Sequence, residues 1–90
     1  MKTFELRNEE TAILDLKDSP GISATNVSDE DAKFYVDYLS GHEHWSPVTG
    51  EKIIKPGGTF DITKPQIGHD VVRVGARGKH NGTIIIRGRY

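Results

Sequence analysis

Ten glycines and four prolines punctuate this 90-residue chain, and between them run short segments in which apolar and polar residues alternate. Alternation at period two is the pattern of half-buried strands, and turn residues at short intervals mark an antiparallel β domain. Thr3 to Arg7 alternates, with Phe4 and Leu6 on one face. After the polar turn Asn8-Glu9-Glu10, Ala12, Leu14 and Leu16 alternate with Thr11, Ile13 and Asp15. Asp18-Ser19-Pro20-Gly21 is a strong turn signal, and Ile22 to Asn26 reads as a short strand. Lys55-Pro56-Gly57-Gly58 is a further turn that delivers Thr59 to Thr63, with Phe60 and Ile62 sharing a face. Val71 to Ala76 and Thr83 to Tyr90 are expected to pair as a hairpin around Asn81-Gly82, residues that tolerate positive φ. In the last strand Ile84, Ile86 and Tyr90 point inward, while Ile85, Arg87 and Arg89 point out.

Ser28 to Gly41 fits two incompatible templates. As a helix it has Ser28 at the N-cap, acids in the first turn, an apolar stripe of Ala32, Tyr35, Val36 and Leu39, and Gly41 past its end. As a strand, Phe34, Val36 and Tyr38 alternate with Tyr35, Asp37 and Leu39. The Phe, Tyr and Val content favours β, with Asn26 to Asp31 then a hairpin loop to Lys33–Leu39. The expected fold is therefore a small antiparallel β-sandwich. The alternative is α+β, with one helix near 29–40 packed on an antiparallel sheet. The order of features resembles that of small immunoglobulin-like sandwich domains. A strand ends in Asn-x-Ser-Asp, an aromatic strand follows at Phe34 to Tyr38, and a Pro-Gly-Gly turn precedes a polar–apolar strand. A Val-rich strand and a final Gly-Thr-Ile-Ile-Ile strand close the sheet. The resemblance is one of architecture and implies a non-catalytic sandwich; the immunoglobulin cysteine pair is missing, and Trp45 has no evident core position.

Ninety residues make a single domain, residues 1–90, that buries only about 60–65% of the surface its unfolded chain exposes. With no cysteine in the chain, disulfides cannot reinforce so thin a core, and association with neighbours becomes the favoured source of added stability. The N-terminus lacks the apolar run of a secretory signal, and no segment approaches the ~18 apolar residues of a membrane helix. The expectation is folding in the cytoplasm with no membrane contact. Asn26-Val27-Ser28 and Asn81-Gly82-Thr83 match the glycosylation triplet but read as turns.

Charge is unevenly distributed. Residues 1–63 hold six Lys/Arg against twelve Asp/Glu, whereas residues 64–90 hold six Lys/Arg against the single acid Asp70. An acidic surface and a basic one on the same domain attract between copies, or the basic one attracts an anionic partner. Arg73, Arg77, Lys79, His80, Arg87 and Arg89 are the candidate partner- or anion-binding residues, all but His80 expected on one sheet face. The glycine-rich Gly75–Gly82 segment suits an anion-binding tip but matches no Walker or dinucleotide fingerprint. Nucleic acid is an unlikely partner, because phosphate-backbone binders have a basic domain and this pI is about 6.4.

No metal site is assigned. His42 and His44 are the residues from which one would be built, both projecting to one side of an extended backbone, with His69, Asp70 or His80 as a third ligand. No cofactor is expected. No carboxylate pair, nucleophile elbow or cysteine nucleophile organises a catalytic site. The reading is a non-catalytic structural or binding module that self-assembles or docks on a larger particle, as a phage virion accessory or capsid decoration protein does. The alternative is a monomeric binding or inhibitory domain that recognises an acidic protein, a glycan or phosphate through the basic C-terminal hairpin.

Overall fold

A computed structural model describes residues 1–79 and 82–90. Along the chain lie β1 (Thr3–Arg7), β2 (Thr11–Asp15), β3 (Gly21–Asn26), β4 (Ala32–Leu39), β5 (Trp45–Ile54), β6 (Thr59–Thr63), the single helical turn α1 (Lys64–Ile67), β7 (Val71–Gly78) and β8 (Ile85–Arg89). The ambiguous central segment is strand β4. A helix would have left Phe34 off its apolar stripe, whereas the strand buries Ala32, Phe34 and Val36 completely. Full burial of a side chain such as Phe34 contributes about 1.5–3 kcal/mol, more than the capping signals offered.

The strands form two four-stranded antiparallel sheets packed face to face, in the orders β1-β8-β3-β6 and β2-β7-β4-β5. The β-sandwich expected from the alternation is thus present. Its connectivity has a simple origin. β4 turns directly into β5, and outward from that tip β3 pairs with β6, β2 with β7 and β1 with β8. The chain is one long antiparallel ribbon, closed at its far end by reciprocal Lys2–Tyr90 backbone bonds of 3.0 and 2.9 Å. The ribbon then wraps so that β3 meets β8 and β4 meets β7, which gives the double Greek key of a jelly roll. In an immunoglobulin domain the last strand lies beside the one before it; here β8 lies between β1 and β3.

Two expected hairpins are corrected by this arrangement. Val71–Ala76 and Thr83–Tyr90 do not pair, since β7 and β8 belong to opposite sheets. Ile84 and Ile86 are buried between the sheets opposite a wall that includes Val72 and Val74, so the chain crosses the sandwich there instead of turning back in plane. For the same reason Asn26 to Asp31 carries the chain from one sheet to the other and is no hairpin loop.

The core combines Leu6, Ile22, Ala24, Ile84 and Ile86 of one sheet side with Leu14, Phe34, Val36, Val72, Val74 and Ala76 of the other. Phe34 sits at its centre, stacked on Phe4 at 6.4 Å between ring centroids and tilted against Phe60 at 6.0 Å. Asn26 is the one buried polar residue among those described. The expected turns form: Asp18 adopts φ 67°, Gly57 adopts φ 77°, and Gly58 donates to the Lys55 carbonyl at 2.8 Å. α1 is an addition to the expectation. Thr63 and Gln66 make a reciprocal capping box, Pro65 stands in the first turn, and Gly68 ends the turn in the left-handed region at φ 72°. That turn places Ile67 over one end of the core.

Candidate functional site

Because β7 and β8 lie in different sheets, the basic C-terminal residues divide between the two outer faces of the sandwich. Arg73 and Arg77 project from β7 on the β2-β7-β4-β5 face; Arg87 and Arg89 project from β8 on the β1-β8-β3-β6 face. The expected common basic face is therefore not formed. Lys79 is exposed just beyond β7, and His80, with Asn81 of the expected turn, lies outside the described residues.

Most of these arginines meet acids from the other end of the chain. Arg73 donates to Asp37 at 3.0 Å and lies 5.0 Å above the Trp45 ring, giving that tryptophan an outer-face position as a cation–π partner. Arg77 pairs with Glu51 at 2.7 Å, and Arg87 with Glu5 at 3.0 Å. Arg87 first, with Arg7 adding to it, holds the Glu5 carboxyl below its ordinary range. The ribbon topology explains the pattern, since it lays the acid-rich early strands beside the basic late ones. Charge that is segregated along the sequence is neutralised within the fold, and the segregation no longer argues for attraction between copies.

The two outer faces differ sharply in character. The β1-β8-β3-β6 face presents Thr3, Glu5, Arg7, Ser23, Thr25, Thr59, Asp61, Thr63, Arg87 and Arg89, with half-buried Ile85 as its apolar member. The β2-β7-β4-β5 face is mixed. One cross-strand row runs Ile13, Arg73, Asp37, Pro47; neighbouring rows carry Thr11, Gly75 and Tyr35, or Arg77, Lys33 and Ile53. Ile13 is 67% exposed, Ile53 62%, Leu39 40% and Val71 39%. Their strand neighbours Leu14, Ile54 and Val72 are buried, so alternation sends these four outward. Ile13 already stood opposite Leu14 and Leu16 in the sequence pattern; an apolar residue on the solvent side of a strand was the available signal.

The histidine tetrad does not sit on extended backbone. Gly41 has φ 75° and Glu43 φ 55°, so residues 41–44 form the tight turn of the β4–β5 tip, closed by Ser40 N–H donating to the His44 carbonyl at 2.7 Å. The same-side argument for His42 and His44 therefore fails. Of the proposed third ligands, His69 stacks flat on Tyr38 at 3.9 Å, and Asp70 accepts from Lys64 at 2.6 Å, which lowers its pKa. Among the described residues no group of three His, Cys, Asp or Glu side chains is placed to hold a metal ion, and no helix is long and apolar enough to cross a membrane.

Asn26 of the first glycosylation-type triplet is fully buried, which makes it a structural residue and no sugar acceptor. Comparison with protein-family models, curated proteins and solved structures finds no match for this chain.

Proposed function

We propose that this chain is a non-catalytic structural module that pairs with a second copy of itself through the outer face of the β2-β7-β4-β5 sheet, and serves in that form on a larger particle. The observation that carries the reading is the contrast between the two outer faces. Exposed Ile13, Ile53, Leu39 and Val71 all lie on one of them, Ile13 and Ile53 at its two opposite edges, while the other is lined by hydroxyls and charges. Scattered surface apolar residues are ordinary, but a concentration on one face marks a contact surface.

The occupant follows from charge. Lys33, Arg73 and Arg77 on this face are balanced by Asp15, Asp37 and Glu51, and two of the three cations are already ion-paired. Such a face is close to neutral and calls for no oppositely charged partner. A second identical face, neutral and half apolar, is its natural complement, and the isologous two-fold contact is the commonest closed arrangement. A particle setting such as a virion is supported by analogy of fold, because jelly rolls recur in capsid and lectin domains.

The test is Ile13→Glu combined with Ile53→Glu. Both positions are exposed, so the melting temperature should change little, while the mass in solution should fall from dimer to monomer. Thr59→Glu on the opposite face should leave the dimer intact. Loss of association in Thr59→Glu, or a dimer unchanged by the double substitution, would remove the assignment of this face.

A further inference from the structure

The outer face of the β1-β8-β3-β6 sheet holds an arginine in an unusual setting. Among the described residues, Arg7, Arg73, Arg77 and Arg87 each lie within ion-pairing distance of a carboxylate, and Arg89 does not. Its neighbours directly across both flanking strands are hydroxyl-bearing: Thr3 of β1 on one side and Ser23 of β3 on the other. β8 is an interior strand of its sheet and Arg89 is its last residue, so Arg89 stands at one end of the face with a hydroxyl-bearing residue on each side. An open groove of about 340 Å³ runs here, lined by Thr3, Ser23, Thr25, Thr59, Arg87 and Arg89.

We infer that this groove is an oxyanion site, taking a phosphate or sulfate group with Arg89 as its charge-bearing residue. Guanidinium forks match tetrahedral oxyanions in geometry and charge, and hydroxyls donate to the remaining oxygens. The surrounding charges are compatible. Glu5 is held by Arg87 at 3.0 Å, which leaves that carboxylate little repulsion toward an incoming anion. Asp61, across from Ser23 on β6, does not line the groove. Thr25 and Thr59, hydrogen-bonded to each other at 2.8 Å, extend a hydroxylated floor beyond what a bare ion covers. The same chemistry would accept either a free anion or the sulfate or phosphate ester of a sugar. This inference is independent of the self-pairing face, which lies on the opposite side of the sandwich.

The experiment is a nuclear magnetic resonance titration of backbone amides with inorganic phosphate, sulfate, glucose 6-phosphate and glucose, each against chloride at equal ionic strength. Saturable shifts centred on Thr3, Ser23 and Arg89 are expected with phosphate or sulfate and absent with glucose or chloride. Tighter binding of glucose 6-phosphate than of phosphate identifies a sugar ester as the source; equal binding identifies the free anion. Arg89→Gln should weaken binding about tenfold, the scale of one lost charge-assisted contact, and Thr3→Val with Ser23→Ala several-fold, with melting temperatures unchanged. Shifts reproduced by chloride, or an Arg89→Gln protein that titrates like the unmodified chain, would overturn the site.

Discussion

The Asn26 side-chain amide donates to the Ile54 carbonyl at 2.8 Å, joining β3 of one sheet to the end of β5 in the other. Its second N–H reaches the Glu30 carbonyl at 2.7 Å, and its oxygen accepts from the Ser28 N–H at 2.9 Å. One fully buried amide thus satisfies the loop that carries the chain between sheets. Asn26→Ala leaves buried carbonyls without donors, and such losses cost about 1–3 kcal/mol per orphaned group. A destabilisation of ~3 kcal/mol in denaturant unfolding is expected, whereas less than ~1 kcal/mol would show that the seam does not depend on this residue.

Two glycines make room for aromatic rings, with different consequences. A Cβ at Gly88 would overlap the Phe4 ring, and one at Gly75 would overlap the Tyr35 ring. Phe4 is half-buried but faces the core, packed against Phe34 and Tyr90, while Tyr35 is half-buried on an outer face and can swing toward solvent. Gly88→Ala should therefore cost about 1–3 kcal/mol, the range for overpacking, and Gly75→Ala clearly less. Equal losses in the two variants would contradict this account of the core.

The Glu5–Arg87 pair sets an acid dependence. Hydrogen bonding from Arg87 lowers the folded-state pKa of Glu5 below its ordinary value of 4.5, so the unfolded chain takes up the proton first. Stability from the pair is complete above pH 4.5 and is lost as pH falls through the lower, folded value. Thermal melts of the unmodified chain and Glu5→Gln should differ at neutral pH and converge in acid. Both groups are exposed, so the gap should be small and should shrink in high salt. A gap independent of pH would assign the Glu5 effect to packing.

Most strand positions and faces were legible in the sequence because alternation is local; β5 (Trp45–Ile54) was not, since Pro47, Gly50 and the adjacent Ile53 and Ile54 break period two along it. Leu14 and Leu16 inward with Ile13 outward, or Ile84 and Ile86 inward with Arg87 and Arg89 outward, follow from period two alone. Partner choice was not legible. The valines of β7 and isoleucines of β8, with a glycine-rich sequence between them, carry the pattern of a hairpin, yet the same alternation serves two strands covering one core from opposite sheets. Nothing local to residues 71–90 reports that β1 and β3 will flank β8. The arginines were found, but their faces and their pairing with Glu5, Asp37 and Glu51 depended on that topology. The α1 turn was readable from Thr63, Pro65, Gln66 and Gly68, a capping box hidden by the strand pattern on either side.

The central claim is self-pairing through a neutral, half-apolar face, and the mass of the unmodified chain in solution tests it most directly. Light scattering after size-exclusion chromatography, at low and at high salt, should give a dimer under both conditions. The charges of the contact face are paired within each copy, and salt does not weaken apolar burial. A monomer at both salts, or a multimer that dissociates as salt is raised, would contradict the account.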